Sequence, residues 1–248
     1  MSISAVIIAK NEQERIADCI DSVLFCDEVV VVDAESDDNT KEIAERMGAK
    51  VYHCSDEDFA KLRNFGRDKA KGQWILYIDA DERVTKDLEK SIKHCTFDSP
   101  SNVAAYKIKR KNFYLGEHEW PYIEKLERFF KKSGLKGWYG TLHESPSVDG
   151  EIQDLEGFLF HFTHRDLSSM LKKTIKWSKI EAELRFQAGH PPMYWWRFPR
   201  VMLSAFFNSY IVQKGWQVGT VGLIESMYQS FSIFITYARL WELQNRKK

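Results

Sequence analysis

The first 80 residues alternate between short apolar runs and amphipathic segments, and this alternation constrains the fold more than any other feature. The apolar runs are Ile3–Ala9, Glu28–Asp33, Lys50–His53 and Trp74–Asp79. Runs of this length between polar turns predict buried strands, and the segments between them have the length and apolar spacing of helices. Strands separated by helices indicate right-handed βαβ units, so we predict an α/β fold with a doubly wound sheet.

The middle of the chain has a different pattern, without helical segments between the apolar runs. Strands are predicted there at Ala104–Tyr114, Leu126–Lys132 and Gly157–Thr163. Their alternation of polar and apolar residues is typical of strands with one exposed face, so the sheet is expected to be mixed and not purely parallel. We divide the chain into an α/β domain at 1–165, with halves at 1–98 and 99–165, and a helical extension at 166–248.

The helical extension combines positive charge with aromatic side chains. Residues 161–248 hold 13 Lys and Arg against 5 Asp and Glu, although the whole chain has no net charge. Seven large aromatic residues lie between Trp195 and Trp216, and only two charged residues interrupt Val218–Trp241. This composition suits helices lying in an anionic membrane interface, and Glu225 argues against a spanning helix. A helical hairpin packed on the α/β domain or on another subunit remains an alternative.

Composition excludes several classes of protein. With 44% hydrophobic and 29% charged residues, the chain is not predicted to be disordered. No stretch of 18 uncharged apolar residues and no secretory signal is found, which favours a cytoplasmic protein, peripheral on the inner face of the cytoplasmic membrane. The four cysteines lack CxxC spacing and are interpreted as reduced thiols. No nucleic-acid motif accompanies the basic residues, so no nucleic-acid partner is expected.

Acidic and polar residues follow three of the predicted strands. They are Asn11 with Glu12, Asp33, and the pair Asp79 and Asp81. Ligands of open α/β sheets bind at the carboxyl ends of the strands. Two carboxylates two residues apart at such a strand end can share Mg²⁺ or Mn²⁺ with a diphosphate. The sequence therefore favours a site for a phosphorylated ligand and a divalent cation.

The ordered set of motifs resembles family 2 glycosyltransferases, which are inverting enzymes of GT-A fold that use nucleotide-sugars. The resemblance is carried by residues 5–12, 30–40, 63–64, 74–84, 142–144, 159–161 and 214–243. The set is similar to the branch that contains the lipopolysaccharide-core β-1,4-glucosyltransferases. The resemblance implies a GT-A domain, a Rossmann-like doubly wound mixed sheet, followed by an aromatic-rich helical extension.

The resemblance also implies an activity. The protein would be a metal-dependent hexosyltransferase that moves a hexose, with glucose expected, from a UDP-sugar to a lipopolysaccharide-core or lipid-linked acceptor. A polyprenyl-phosphate hexose transferase is an alternative, because a phosphate acceptor needs less of a base. A non-catalytic, sugar-nucleotide-binding membrane scaffold is another, although the intact pair Asp79 and Asp81 argues against it. The sequence does not define an oligomeric state.

Roles for the donor-binding residues follow from the same resemblance. Asp33 would contact the nucleotide base, at the imide N–H if the base is uracil. Ala9, Asn11 and Glu12 would line the nucleotide pocket. Arg63 would approach the nucleotide or the diphosphate, with a surface helix charge as its other interpretation.

The resemblance assigns the metal site to the end of the fourth strand. Asp81 would be the direct metal ligand and would therefore act in catalysis, and Asp79 would face the ribose or reach the metal through water. His161 or His164 would complete the metal shell, while a structural role for each histidine remains open. The family often has glycine where Glu35 stands, so the turn there is expected to depart from the family's geometry.

Inversion requires a carboxylate that takes the proton of the attacking acceptor hydroxyl. Glu144 is the expected base, because the family has a His-Glu pair after a glycine-containing turn. An ion pair with Arg110 or Arg128 is the alternative role for this residue. Glu127 and Glu124 are the rival candidates for the base.

Overall fold

The computed structural model describes residues 1–56, 58–140, 144–163 and 166–246. The chain divides into two compact units. The first, the α/β unit, consists of residues 1–111 and 124–161. The second, the helical unit, consists of residues 112–123 and 162–248.

The secondary structure changes along the chain from alternating strands and helices to strands alone and then to helices. The strands of the described residues are β1 Ile3–Ala9, β2 Glu28–Asp33, β3 Lys50–His53, β4 Trp74–Asp79, β5 Glu82–Val84, β6 Val103–Tyr114, β7 His118–Lys131, β8 Leu135–Tyr139, β9 Ser145–Val148 and β10 Glu151–Phe162. The helices are α1 Ile16–Asp21, α2 Thr40–Arg46, α3 Phe59–Lys69, α4 Lys86–Asp98, α5 Leu167–Gln187, α6 Arg197–Phe207 and α7 Gly219–Asn245. Short π-helical and 3₁₀-helical turns lie between α6 and α7.

The central sheet has eight strands in the order β3-β2-β1-β4-β7-β6-β10-β5. β1 pairs in parallel with β2 and β4, and β2 pairs in parallel with β3. β7 is antiparallel to β4, and β5 is antiparallel to β10. A separate two-stranded sheet joins β8 and β9. The predicted α/β fold with a mixed sheet is confirmed, and the first four predicted strands have the predicted bounds.

Both faces of the sheet are covered at β1, β2 and β4, which explains why these strands are almost wholly apolar. Alternate residues of β1 belong to different cores. Ile7 lies in the cluster with α1 and α4, whereas Val6 lies in the cluster with α3. Trp74 and Phe129 stack with ring centroids 4.8 Å apart and continue the first core into the antiparallel half.

The structure differs from the sequence prediction at short or irregular elements. The three strands β5, β8 and β9 were not predicted. β5 has three residues, β8 contains Gly137 and β9 contains Pro146, and glycine and proline inside a short run argue against a strand. After β1 the chain does not enter a helix directly, since α1 begins at Ile16. Asn11 has a φ of 56°, a left-handed conformation that cannot start a helix.

The helical unit includes the hairpin of residues 112–123, which the predicted boundary at residue 165 did not separate from the α/β domain. Within this unit, Trp120 donates from Nε1 to Gln213 Oε1 over 3.1 Å. Gly215 lets the indole approach closely, since a Cβ there would lie 2.6 Å from Trp120 Cη2. Among the described residues, no helix combines the length and the apolar composition that crossing a membrane requires.

Candidate active site

The strand register brings the predicted donor-binding residues to one edge of the sheet. Ala9 lies opposite Asp33 in the pairing of β1 with β2, and Ile8 lies opposite Asp79 in the pairing of β1 with β4. Three adjacent parallel strands therefore end at the same edge, as ligand sites in open α/β sheets require.

Two loops at this edge are fastened to each other by side chains. Ser36 Oγ accepts from Asn11 N over 2.9 Å, and Asn11 Oδ1 accepts from Asp37 N over 2.7 Å. Thr40 Oγ1 accepts from Glu12 N over 2.8 Å. Asn11 and Glu12 therefore hold the loop after β1 against the loop after β2, which fixes one wall of the edge.

The turn after β2 keeps a backbone conformation that favours glycine. Glu35, which stands where the family often has glycine, has a φ of 60°. A non-glycine residue in this left-handed region carries about 1–3 kcal/mol of strain. Glu35 therefore adopts the left-handed conformation at an energetic cost.

Asp33 is a buried carboxylate whose two oxygens differ in their hydrogen bonding. Oδ2 accepts from Ser36 N over 3.3 Å and lies 3.8 Å from His53 Nδ1. Oδ1 is buried and has no hydrogen-bond partner among the described residues. An unsatisfied buried acceptor is costly, so this oxygen is suited to an N–H group of a ligand.

Asp79 is clamped between two buried arginines. Arg63 Nη2 donates to its Oδ1 over 2.9 Å, and Arg128 Nη2 donates to its Oδ2 over 2.8 Å. Burial raises the pKa of Asp79, but the guanidiniums of Arg128 and Arg63 outweigh burial and hold that pKa well below its usual range. The carboxylate is therefore ionised and fixed in orientation.

The arginine contacts extend from Asp79 into a larger ionic network. Glu144 Oε1 accepts from Arg63 Nε over 3.0 Å, so the ion-pair partner of Glu144 is Arg63 and not Arg110 or Arg128. Arg110 donates to Glu82 over 2.9 Å and to Glu124 over 2.6 Å. Glu124, a rival base, is thus held by Arg110, whose Nε and Nη2 both donate to Oε2.

Arg63 lies inside the α/β unit and not on the surface of α3. Its side chain is 2% exposed, and its guanidinium lies 5.0 Å from the ring centroid of Trp138. The structure therefore shows Arg63 linking Asp79 to Glu144. Its expected contact with a nucleotide or diphosphate stays a prediction. This link could not be predicted, because Arg63 and Glu144 are 81 residues apart in the chain.

Replacing Arg63 by methionine is expected to lower the free energy of unfolding by about 3–5 kcal/mol, because Glu144 loses its buried partner and Asp79 loses one of its two. Arg67→Met is the matched control on the same helix. Arg67 pairs with the exposed Asp68, and such surface pairs contribute about 0–1 kcal/mol. Urea denaturation of both variants measures the difference. Equal losses of stability would contradict the network's structural role.

Asp81 and His161 approach each other at the end of β4. Asp81 Oδ2 lies 3.4 Å from His161 Nε2 and 3.5 Å from Arg15 Nη1, and the Asp81 and His161 side chains are each 15% exposed. The pairing of β10 with β5 places His161 opposite Glu82, which explains the approach. Among the described residues, no three His, Cys, Asp or Glu side chains form a group that could hold a metal. Asp79 therefore does not form such a group with the pair.

Two histidines of the predicted site are not among the residues that the structure describes. His143, which precedes the candidate base, and His164, the second candidate metal ligand, lie outside the described residues. The described part of the candidate site therefore consists of Glu144, Asp81 and His161 together with the strand-end residues.

The family profile described as Glycosyl transferase family 2 matches residues 4–148. The chain belongs to this family. An uncharacterized glycosyltransferase of Rickettsia bellii (strain RML369-C) is 31% identical over 263 residues, which cover 97% of this chain and 86% of the relative. The lipopolysaccharide core biosynthesis glycosyltransferase LpsC of Rhizobium meliloti (strain 1021) is 25% identical over 256 residues, with 98% and 93% covered.

Two solved structures have a similar fold. Residues 1–349 of S. aureus TarS, crystallised with UDP-GlcNAc, give a TM-score of 0.52 at 13% identity, with 98% of this chain and 92% of that chain covered. Glucosyl-3-phosphoglycerate synthase from Mycobacterium tuberculosis, in complex with phosphoglyceric acid, gives a TM-score of 0.50 at 17% identity. The match covers 77% of this chain and 81% of that chain. The GT-A fold expected from the sequence is confirmed.

Proposed function

We propose that this family 2 glycosyltransferase is an inverting, metal-dependent hexosyltransferase that uses a UDP-sugar, with glucose as the expected hexose. The observation that carries the proposal is the sheet edge at which β1, β2 and β4 end. The unsatisfied oxygen of Asp33 lies at the end of β2, and Asp79 and Asp81 lie at the end of β4. The acceptor is proposed to be a lipopolysaccharide-core or lipid-linked glycan, which the similarity to LpsC supports.

The donor's base is proposed to bind at Asp33. The imide N–H of uracil can donate a hydrogen bond to the buried Oδ1 of Asp33. Ala9, Asn11 and Glu12 would line the same pocket. TarS, which has a similar fold, was crystallised with a uridine diphosphate sugar, and this supports the choice of nucleotide.

Asp81 and His161 are proposed to hold a divalent cation. A carboxylate and an imidazole close together at a strand end are suitable ligands, and diphosphate oxygens and waters commonly fill the remaining positions around Mg²⁺ or Mn²⁺. When bound, the cation would neutralise the departing diphosphate. Arg15 adds a positive charge beside Asp81. Asp79, already held by two arginines, is proposed to reach the metal or the ribose through water.

Glu144 is proposed to be the general base. Arg63 holds one oxygen of its carboxylate and so fixes the direction of the side chain. An acceptor hydroxyl that attacks the anomeric carbon directly gives inversion, and Glu144 takes its proton as the bond forms.

Thermal unfolding with a panel of nucleotide-sugars tests the proposed donor. UDP-glucose, UDP-galactose and UDP-GlcNAc should raise the melting temperature in the presence of Mg²⁺ or Mn²⁺, whereas GDP-mannose should not. A ligand at 100 times its Kd adds about 2.7 kcal/mol to the stability of the native state. Asp33→Asn, which places an amide at the contact, should reduce the preference for uridine. Equal shifts with UDP- and GDP-sugars would contradict the assignment of Asp33.

The helical unit is proposed to bind an anionic membrane surface. None of the residues of α6, all of which the structure describes, is buried. Trp195 is 83% exposed, Leu203 68% and Phe207 58%. Arg200 and Lys214 are exposed as well. Exposed aromatic and aliphatic residues together with cations are typical of helices that lie at a lipid headgroup layer.

The full-length protein is expected to sediment with vesicles rich in anionic lipid. Each basic residue near such a surface contributes about 1 kcal/mol, and high salt should weaken binding without abolishing it, because salt does not screen the apolar contribution. The double variant Leu203→Ser, Phe207→Ser should lose the part of vesicle binding that persists at high salt. Leu24→Ser, an exposed leucine of the α/β unit, is the control. A protein that stays in the supernatant at low salt would show that this assignment is wrong.

A further inference from the structure

A cavity of about 520 Å³ lies in the α/β unit beside the candidate base. Residues of β7, β8, β9 and β10 line it, together with Glu144, which immediately precedes β9. Its volume is within the range of sites that bind small molecules. The sequence prediction assigned neither this cavity nor a ligand for it.

The cavity has carboxylates in its lining. Glu144 is oriented by Arg63, and Glu127, a rival base, lies 3.4 Å from Lys107 Nζ. Carboxylate oxygens accept hydrogen bonds from hydroxyl groups, and two of them around one cavity can each bind a hydroxyl of the same ligand.

Much of the remaining lining is apolar. Trp138 and Pro146 belong to it, and Ile152, which is largely exposed, is also part of it. Sites that combine an apolar or aromatic surface with a few placed polar groups are typical of small-molecule recognition. A pyranose ring presents both kinds of surface, with C–H groups on its faces and hydroxyls around its rim.

The charges of the lining disfavour an anionic ligand. Arg128 is the basic residue among the described lining residues, and it already binds Asp79 and lies 3.7 Å from Glu82. Glu127 and Glu144 give the lining a negative surplus. In addition, Arg128 Nε is buried and has no hydrogen-bond acceptor among the described residues. A neutral oxygen of a sugar, from a ring or a hydroxyl group, would supply one without adding a negative charge.

We infer that this cavity binds the acceptor as an uncharged sugar ring, with the reacting hydroxyl at Glu144 and a second hydroxyl at Glu127. The inference rests on the proposed function. In the transfer, the acceptor O–H gives its proton to Glu144, the acceptor oxygen bonds to the anomeric carbon, and the bond from that carbon to the diphosphate breaks as UDP leaves. Glu127 selects the acceptor, and a phosphate acceptor is disfavoured.

Acceptor kinetics with simple probes test the inference. Methyl glycosides of glucose, galactose and mannose are compared with the corresponding hexose 6-phosphates, at saturating UDP-glucose. The wild type should use at least one methyl glycoside and should use its phosphorylated counterpart at least about tenfold less well. Glu127→Ala should raise KM for the glycoside about tenfold, the scale of one lost hydrogen bond, with a smaller change in kcat. Glu156→Ala, which removes a carboxylate paired with Lys109 outside the cavity, should match the wild type.

A second variant and a second readout keep the test decisive. If Glu127→Ala does not fold, Glu127→Gln, which removes the charge and keeps the length, should reduce the discrimination against the phosphates. Hydrolysis of UDP-glucose without acceptor reports the donor site separately. If the wild type neither binds nor hydrolyses UDP-glucose, the proposed function is wrong. If hydrolysis is normal, any of three results would overturn the inference alone. These are no use of the glycosides, equal use of the phosphates, and an unchanged KM for the glycoside in both Glu127 variants.

Discussion

Replacing Asp81 by alanine is expected to abolish sugar transfer and metal-dependent binding of UDP while the protein stays folded. The carboxylate lies at a strand end, where Arg15 and His161 are among its partners. Its removal therefore costs little packing, whereas loss of the charge that stabilises the departing diphosphate lowers the rate by about 10³-fold or more. Transfer assays with and without EDTA, calorimetric titration of UDP with Mn²⁺, and thermal unfolding measure the three properties.

The control for this prediction is Asp154→Ala. Asp154 is a half-exposed carboxylate on β10, paired with Lys125 and remote in sequence from the β4 end. This variant should keep its activity and its response to Mn²⁺. If Asp81→Ala turns over at the wild-type rate with EDTA present, the metal assignment is wrong. If it instead melts well below the control, Asp81 has a structural role that its contacts do not indicate.

The parallel half of the fold could be predicted because its strands are buried on both faces. β1, β2 and β4 are almost wholly apolar, and a polar residue marks the end of each run. That pattern gave the strand bounds and, through the rule that parallel strands end at one edge, the grouping of Asp33 with Asp79. No long-range information was needed for this half of the site.

The ionic network could not be predicted, because its contacts join residues that are distant in sequence. Arg63 on α3 and Arg128 on β7 meet at Asp79, 16 and 49 residues away in the chain. Nothing in the neighbouring sequence marks either arginine as buried, and the usual expectation for such a charge is the surface. Only the packing of α3 against the sheet brings the two guanidiniums to the same carboxylate.

The helical unit illustrates a different limit. The segment of α6 and α7 could be identified as aromatic and helical, but nothing local linked it to the hairpin of residues 112–123. That link depends on Trp120 and on the small size of Gly215, which only the folded chain places together. Composition therefore predicts the surface character of this unit better than its extent.

The variant Glu144→Gln is expected to keep donor binding and to lower kcat for transfer by about 10²-fold or more, the scale of a missing general base. The amide retains an oxygen that can accept from Arg63, so the contact that orients the side chain survives while the group can no longer take a proton. Stopped assays of transfer at saturating donor and acceptor give kcat, and calorimetry gives the affinity for the donor.

The comparison with Glu127→Gln distinguishes the base from its rival. Both carboxylates line the same cavity, but Glu127 is paired with Lys107, whereas Glu144 is held by the arginine that also clamps Asp79. Glu127→Gln should therefore act mainly through KM for the acceptor and Glu144→Gln mainly through kcat. The reverse result would make Glu127 the base. If donor affinity falls in parallel with the rate in Glu144→Gln, the carboxylate's function is to support Arg63, and the proton must be taken by another group.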